Sequence, residues 1–394
     1  MTVQNPRGTP SWLGAVNDRL TLAALLDHGP LTRNRICEIV GVSKPTASAI
    51  AQRLLSGGFI VEHGLVTGNA GPSAVVYAAR TDRPLGVAID LDARELRASV
   101  VDAAGTDAPV VTMALSADPA ERDAVAEVTA ALERASAAAG ADPDAVVAIS
   151  IGFAGYVDPA EQELFSEVLP GWPRFGLPRL LGEALGRTIR IENDVSLAAL
   201  AERTTGAGID ADVFALLWLG NGVGAAFDLG GELHRGSFGG AGEIGFLEPS
   251  VSASTLDPEA RSLQDLVGGG GVVSLARRHG LAADDYPSAI AAIAASPGRA
   301  PILAEYADRV AAAVLPLLAV LDPRLVVLGG PTAAVGGAEL AAHVAAGIRR
   351  ISRWYPEVET TAVGADAVHR GARVLTVQAV RSALLDSVAR LAAH

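Results

Sequence analysis

The side chains best suited to contacting another molecule sit between Gly41 and Gly58. Ser43, Lys44, Pro45, Thr46, Ser48, Gln52 and Arg53 lie there among the apolar residues Ala47, Ile50, Ala51, Leu54 and Leu55. The apolar set recurs at i, i+3, i+4, i+7 and i+8, the period of one buried helical face, which leaves the polar set outside. Ser43 is placed to cap the first backbone N–H groups, and Pro45 falls in the first turn, where its missing N–H costs nothing. Gly41 permits the positive φ of a tight turn ahead of the helix. Small hydrogen-bonding groups at the helix start, with a cation further along, suit entry into the major groove of double-stranded DNA. Lys44 is the only lysine in the chain.

The elements around this helix must hold it outward. A first helix is expected from about Ser11 to Leu26, ended by Gly29-Pro30, and Thr32 caps a second over Arg33 to Val40. Gly57-Gly58 stops the third. Two β-rich runs, Phe59–Glu62 and Ala74–Tyr77, then flank a Gly/Asn-rich tip from His63 to Pro72. Helices followed by a hairpin make a winged helix-turn-helix over residues 1–80; a helical packing module that touches no DNA is the plainer reading of the same pattern. His63 and Asn69 stand where a wing reaches the DNA backbone or minor groove, and equally where a loop is simply solvated. Cys37 shares the apolar phase of Ile36 and Val40 and reads as a buried core thiol.

Half of the 394 residues are hydrophobic and 19% are charged, which fits a folded chain of two or three domains. The net charge of −13 argues against a protein that coats nucleic acid unselectively. Residues 1–80 nevertheless carry seven Arg/Lys against four Asp/Glu, so the remainder holds −16. A small basic head on a large acidic body fits local DNA contact with the body kept off the phosphates. One cysteine allows no intramolecular disulfide, and a cytoplasmic setting is the expectation. No window approaches the ~18 apolar residues of a membrane span, and the N-terminus has no signal-peptide core, so no membrane partner is expected.

Beyond a short joint at residues 81–84 the chain alternates apolar strands with alanine-rich helices, the sign of an α/β body over residues 85–394. Strands are expected at Leu85–Asp90 and Leu96–Asp102, turning at Asp92-Ala93-Arg94, and at Val146–Phe153 and Ile189–Glu192. Helices are expected at Asp118–Ala139, near Gly176–Leu185, and from Asn193-Asp194 through Glu202. Val213–Leu219, the turn Gly220–Gly224, and Ala225–Leu229 repeat the opening hairpin. That repetition suggests two lobes with a cleft between them, one of about 85–196 plus the C-terminal helix, the other of about 197–372. Helices follow at Ser262–His279, Pro287–Ala295 and Ile302–Val320, then the strand Leu325–Leu328, and a closing helix near Arg373–Ala393.

Five runs, in order, carry a resemblance. They are Gly152–Gly155 with Asp158; Ile191-Glu192-Asn193-Asp194; Gly220–Ala225; Gly230–Gly236 with Gly240-Ala241-Gly242-Glu243-Ile244-Gly245; and Val326–Gly330. Together they resemble the ROK family of repressors, open reading frames and sugar kinases, which has an actin/hexokinase-like fold. With the winged helix in front, the chain is similar to that family's transcription-factor branch.

The resemblance implies a sugar site at Gly155, Asn193, Asp194 and Glu243, with Phe246 and Asp265 in two further contact places. Vicinal hydroxyls need convergent donors and acceptors, which these groups provide. A helix cap would also explain Asn193-Asp194. In the family's kinases the aspartate matching Asp194 is the general base. Their phosphate-binding Asp-x-Gly-Gly-Thr turn is replaced here by Asp90-Leu91-Asp92-Ala93-Arg94, so ATP use reads as lost and no catalytic residue is expected. The family's zinc ligands fall on Phe246, Leu256, Pro258 and Leu263, which cannot bind metal. No metal or cofactor is expected, and a hydrophobic cluster is expected to take over the zinc's structural work.

These expectations describe a non-enzymatic, sugar-responsive regulator, a repressor by default, with operator DNA and a sugar effector as partners and a homodimer or homotetramer as its assembly. Two rivals remain: an active sugar kinase with a DNA-binding head, and a regulator whose vestigial cleft has yielded control to a protein partner.

Overall fold

A computed structural model describes residues 10–66, 74–166 and 169–391. The head consists of α1 (Pro10–His28), β1 (Leu31–Thr32), α2 (Arg33–Val40), α3 (Lys44–Ser56), β2 (Ile60–Val66) and β3 (Ala74–Ala79). Its second helix has the bounds read from the sequence: Thr32 accepts a hydrogen bond from the Arg35 N–H, and Gly41 ends the helix in the left-handed region at φ 74°. Ser43 caps α3 with Pro45 in the first turn, and Ala47, Ile50, Ala51 and Leu54 are buried. The wing gains a strand, since β1 pairs antiparallel with β3 to give the order β1-β3-β2. Two residues carry too little periodicity to announce such a strand. Asn69 lies outside the described residues, and His63 is exposed on β2. Cys37 is half-buried against the head core rather than enclosed by it.

The body follows in two lobes. The first contains β4 (Leu85–Leu91), β5 (Glu95–Val101), β6 (Val111–Ala114), α4 (Ala124–Ala139), β7 (Val146–Phe153), β8 (Tyr156–Val157), β9 (Leu164–Phe165), α5 (Leu177–Leu185), β10 (Thr188–Asn193) and α6 (Asp194–Thr205). The helix expected from Asp118 begins at Ala124, because Asp118 caps a separate single turn and Asp123 then caps α4.

The second lobe contains β11 (Val213–Leu219), β12 (Val223–Leu229), β13 (Glu232–Leu233), α7 (Val251–Ser254), α8 (Leu263–Val267), α9 (Gly269–Arg278), α10 (Tyr286–Ala295), α11 (Arg299–Leu321), β14 (Leu325–Gly329), α12 (Pro331–Ile351) and β15 (Glu357–Thr360). The single helix expected over 262–279 is two, α8 and α9, because the backbone is extended at Gly268. The sequence reading did not include α12 and β15. The chain ends in α13 (Ala367–Leu391), which starts a turn and a half before the expected Arg373.

The lobes share one topology. The first sheet has order β10-β7-β4-β5-β6 and the second β13-β12-β11-β14-β15. In each, an antiparallel meander is extended by parallel strands: β4 pairs with β7, β7 with β10, β11 with β14, and β14 with β15. The inferred internal repetition is therefore an architectural one, and the fold is a winged helix-turn-helix on a two-lobed α/β body.

One helix ties the parts together. Ala372 and Leu375 of α13 pack with Leu197 and Leu200 of α6. The two backbones approach so closely that a Cβ on Gly371 would fall 1.9 Å from the Leu197 carbonyl oxygen. Two turns later Val380, Leu384 and Val388 of the same helix enter the head core beside Leu22, Leu25, Ile36, Ile50 and Leu54. Arg381 fastens this junction, donating from Nε to the Ala103 carbonyl and from Nη1 to Asp27, each at 2.7 Å.

Candidate functional site

Two surfaces carry the residues singled out from the sequence. On the head, Ser43, Lys44, Pro45 and Gln52 are exposed along one side of α3, and Thr46 and Ser48 are half-buried beside them. The hydroxyls of Ser43 and Thr46 lie 2.8 Å apart. Arg33 of α2 donates to the Ser48 hydroxyl at 3.4 Å, placing a second cation on this face that the helix period alone did not disclose. Arg53 departs from the expectation. Its Nε and Nη2 donate to Asp18 of α1 at 2.9 and 2.6 Å, and the Asp18 side chain is 2% exposed. The hydrogen bonds with Asp18 hold the guanidinium above its ordinary pKa against the cost of burial. A side chain that periodicity places outside is long enough to turn back, so Arg53 clamps α3 to α1.

The cleft set converges where β10 meets α6. Asn193 Oδ1 accepts from the Ser196 N–H at 2.9 Å, capping α6, and its Nδ2 donates to the Gly155 carbonyl at 3.0 Å. The cap reading and the binding reading coexist, since an amide keeps one further donor and one further acceptor position after these bonds. Gly155 sits at φ 134°, and a Cβ there would meet the Phe165 carbonyl oxygen at 2.1 Å. Asp194 accepts from the Val195 N–H at 2.8 Å. Burial pushes its carboxyl up to about 6 despite that bond. Glu243 is also pushed up, by burial first and then by the charge of Asp194, which places the two carboxylates in one field.

Asp90 completes an acidic group. Burial raises it to about 7, Arg97 opposes the rise, and Asp194 adds to it. Arg97 stands 3.8 Å from Asp90 but donates to Asp366 at 2.7 Å, so its charge is shared. At the tip of this hairpin, Asp92 Oδ1 accepts from the backbone N–H groups of Arg94 and Glu95 at 2.7 and 2.8 Å. The turn thus satisfies its own amides with an internal carboxylate. In the second lobe, the Gly220–Gly224 turn is held by Gln264, which accepts from the Val223 N–H and donates to the Asn221 carbonyl.

Phe246 and Asp265 are not brought into the acidic group by any contact among the described residues. Phe246 is 79% exposed. Asp265 is the third residue of a capping box with Ser262: its Oδ2 accepts from the Arg261 and Ser262 N–H groups at 3.0 Å each. Those backbone bonds hold it below the usual carboxylate range. The expected hydrophobic cluster is also corrected. Leu263 is buried and Leu256 packs against the second lobe's core, while Pro258 and Phe246 face solvent. Polar contacts hold this region, since the buried Arg309 reaches Asp257 at 3.0 Å and the Leu266 carbonyl at 3.1 Å.

Sequence reasoning missed three residues in the cleft. Tyr156 is held above its ordinary pKa by burial and the nearby Glu243, and its ring stacks on Phe165 at 4.9 Å. Glu192 and Arg235 form an ion pair at 2.6 Å. Glu192 and Arg235 lie within runs quoted above, and Tyr156 lies between Gly155 and Asp158 of another; that placement was the available signal.

Residues 86–379 match the ROK family, and residues 16–61 match a winged helix-turn-helix DNA-binding family. Over 240 residues the chain is 25% identical to a putative xylose repressor of Caldicellulosiruptor sp. strain Rt8B.4, which is 61% of this chain and 60% of that repressor. The match thus spans three-fifths of that relative's length. Among solved structures, a ROK family transcriptional regulator, a homolog of the E. coli MLC protein, superposes with a TM-score of 0.72 at 17% identity, covering 96% of this chain and 100% of that one. A ROK hexokinase from Thermus thermophilus superposes with a TM-score of 0.60 at 26% identity, covering 76% and 99%.

Proposed function

The chain belongs to the ROK family, and from that premise we propose that it is a sugar-responsive transcriptional repressor. The observation that carries the proposal is α13, which packs along α6 behind Asp194 and then completes the core beneath α3. A ligand that shifts α6 therefore acts on the same rigid helix that supports the DNA-reading surface. The bound sugar's hydroxyls would donate to the Asp194 and Glu243 carboxylates and bond with the Asn193 amide, with Gly155 keeping the floor of the cleft close. Operator DNA would meet Ser43, Lys44, Pro45, Thr46, Ser48 and Gln52, with Arg33 in place of Arg53. A differential affinity of the sugar for one lobe closure is what such a switch requires.

Catalysis is not part of the proposal. Phosphoryl transfer needs free amides and positive charge around the phosphates. Here the Arg94 and Glu95 N–H groups already serve Asp92, whose carboxylate stands where phosphate oxygens would lie. The assembly we propose is a homodimer or a homotetramer, in which paired heads read a palindromic operator. No helix among the described residues is long and apolar enough to cross a membrane, and we propose a cytoplasmic setting.

The test is selection of genomic DNA fragments by the full chain, with and without a panel of pentoses and hexoses, using Lys44→Ala/Gln52→Ala as the control. A palindromic site lost in the control and released by one sugar is the expected result. No enrichment under any condition, or sugar-dependent ADP formation in a coupled assay, would overturn it.

A further inference from the structure

Glu192 and Arg235 belong to different lobes. Glu192 precedes Asn193 at the end of β10, and Arg235 follows β13 at the foot of the loop that carries Glu243. Glu192 Oε2 accepts from Arg235 Nε at 2.6 Å, and Oε1 accepts from the Asn193 N–H at 3.1 Å. The Glu192 side chain is 10% exposed and that of Arg235 47%, so the carboxylate is enclosed and the cation covers it from the rim.

The loop beyond Arg235 is closed on itself. The Ala241 N–H donates to the Arg235 carbonyl at 3.2 Å, and the Ala225 N–H donates to the Gly242 carbonyl at 2.8 Å. The same loop lies against the first lobe at a second place. A Cβ on Gly239 would stand 2.6 Å from the Val157 carbonyl oxygen, and one on Gly240 would stand 3.0 Å from the Tyr156 ring. The loop carrying Glu243 is thus tied to its own lobe through Gly242 and faces the other lobe from Arg235 through Gly240.

We infer that Glu192 and Arg235 form an interlobe positioning latch that fixes the Glu243 loop of one lobe against the Asn193–Asp194 turn of the other. One carboxylate bridges a guanidinium and the backbone N–H of Asn193, so the two faces of the cleft share a single charged anchor. Such charge-assisted bonds are short and directional, and they hold geometry better than a contact between neutral groups. Without the cation, the enclosed Glu192 carboxylate would be left without its charged partner, and the Glu243 loop would lose its tie to that face. The latch stands on its own contacts; its effect on ligand affinity rests on the cleft being the sugar site.

The test uses the full chain and hydrogen exchange resolved by mass spectrometry. In Glu192→Gln and Arg235→Gln, peptides covering residues 236–243 should exchange about tenfold faster while those of α4 and α11 are unchanged. Arg235→Lys should return most of the protection. Unchanged exchange in the Gln variants, or no recovery in Arg235→Lys, overturns the latch. Titration with D-xylose and D-glucose reads the consequence: affinity falls about tenfold in the Gln variants and recovers with Arg235→Lys. If the parent chain binds neither sugar, the sugar-site reading fails for these ligands, while the exchange data still decide the latch.

Discussion

α3 and α6 both begin at a side-chain cap, Ser43 for one and Asn193 for the other, yet they present opposite surfaces. α3 turns a row of small solvated donors outward and buries only its inner stripe. α6 is buried continuously from Val195 to Glu202, and the polar groups it brings to the acidic cluster are those of its first turn. A helix that meets a polyanion needs accessible donors whose charge is already settled. One that holds a small uncharged ligand needs a few desolvated groups, and desolvation has moved the proton affinity of Asp194 and Glu243. On the proposed function, the contrast is how a single chain would divide recognition of a polymer from recognition of a metabolite, with α13 as their common support.

The largest expected effect separates the two surfaces at that support. Leu384→Ala removes a buried side chain from the head core and should cost about 2–5 kcal/mol in denaturant unfolding of that region. DNA binding should be lost while sugar binding persists; equal loss of both would erase the distinction between the surfaces. Next, Asp194→Ala should weaken sugar binding by roughly ten- to a hundredfold by calorimetry, the range for losing a charged acceptor. DNA affinity without sugar should not change. Lys44→Ala should have a smaller effect, lowering operator affinity roughly fivefold and the slope of log affinity against log salt by about one.

The finest test uses pH. Asp194, pushed up to about 6, accepts hydrogen bonds best when ionised, so sugar affinity should fall by up to about tenfold between pH 7 and pH 5. What Asp90 and Asp194 contribute to the body's stability should move the other way. Asp90 and Asp194 bind protons more tightly folded than unfolded, so their contribution is fully present below pH ~4 and is lost as pH rises through about 6 and 7. His369, held down at about 4 by burial, works against that trend, so the check compares the parent chain with Asp90→Asn/Asp194→Asn. If the parent's stability relative to the variant does not fall as pH rises from about 4 to about 8, the assignment is wrong.

Local signals carried most of the fold. The bounds of α2 follow from Thr32 and Gly41 because cap and stop are adjacent in sequence. α12 was not seen because Gly329-Gly330-Pro331 reads as a loop and Gly336-Gly337 interrupts the period; Gly337 does take a non-helical conformation inside it. The pairing of Arg53 with Asp18 was not foreseen because Asp18 is distant in sequence, and no helical period reports such a contact. The same limit hid Glu192–Arg235. Asn193, Asp194 and Glu243 were legible as motif residues, but the raised proton affinities of Asp90 and Asp194 arise from burial, which no local pattern reports.

The last three turns of α13 make the head unsuitable as a portable module. Val380, Leu384 and Val388 are supplied from the far end of the chain to close its core. A chimaera that joins a foreign head to this body at the 81–84 joint would inherit a mismatched seam unless those turns were exchanged with it. Evolution faces the same constraint, so substitutions in the first 80 residues and in the final helix should arise as matched sets rather than singly.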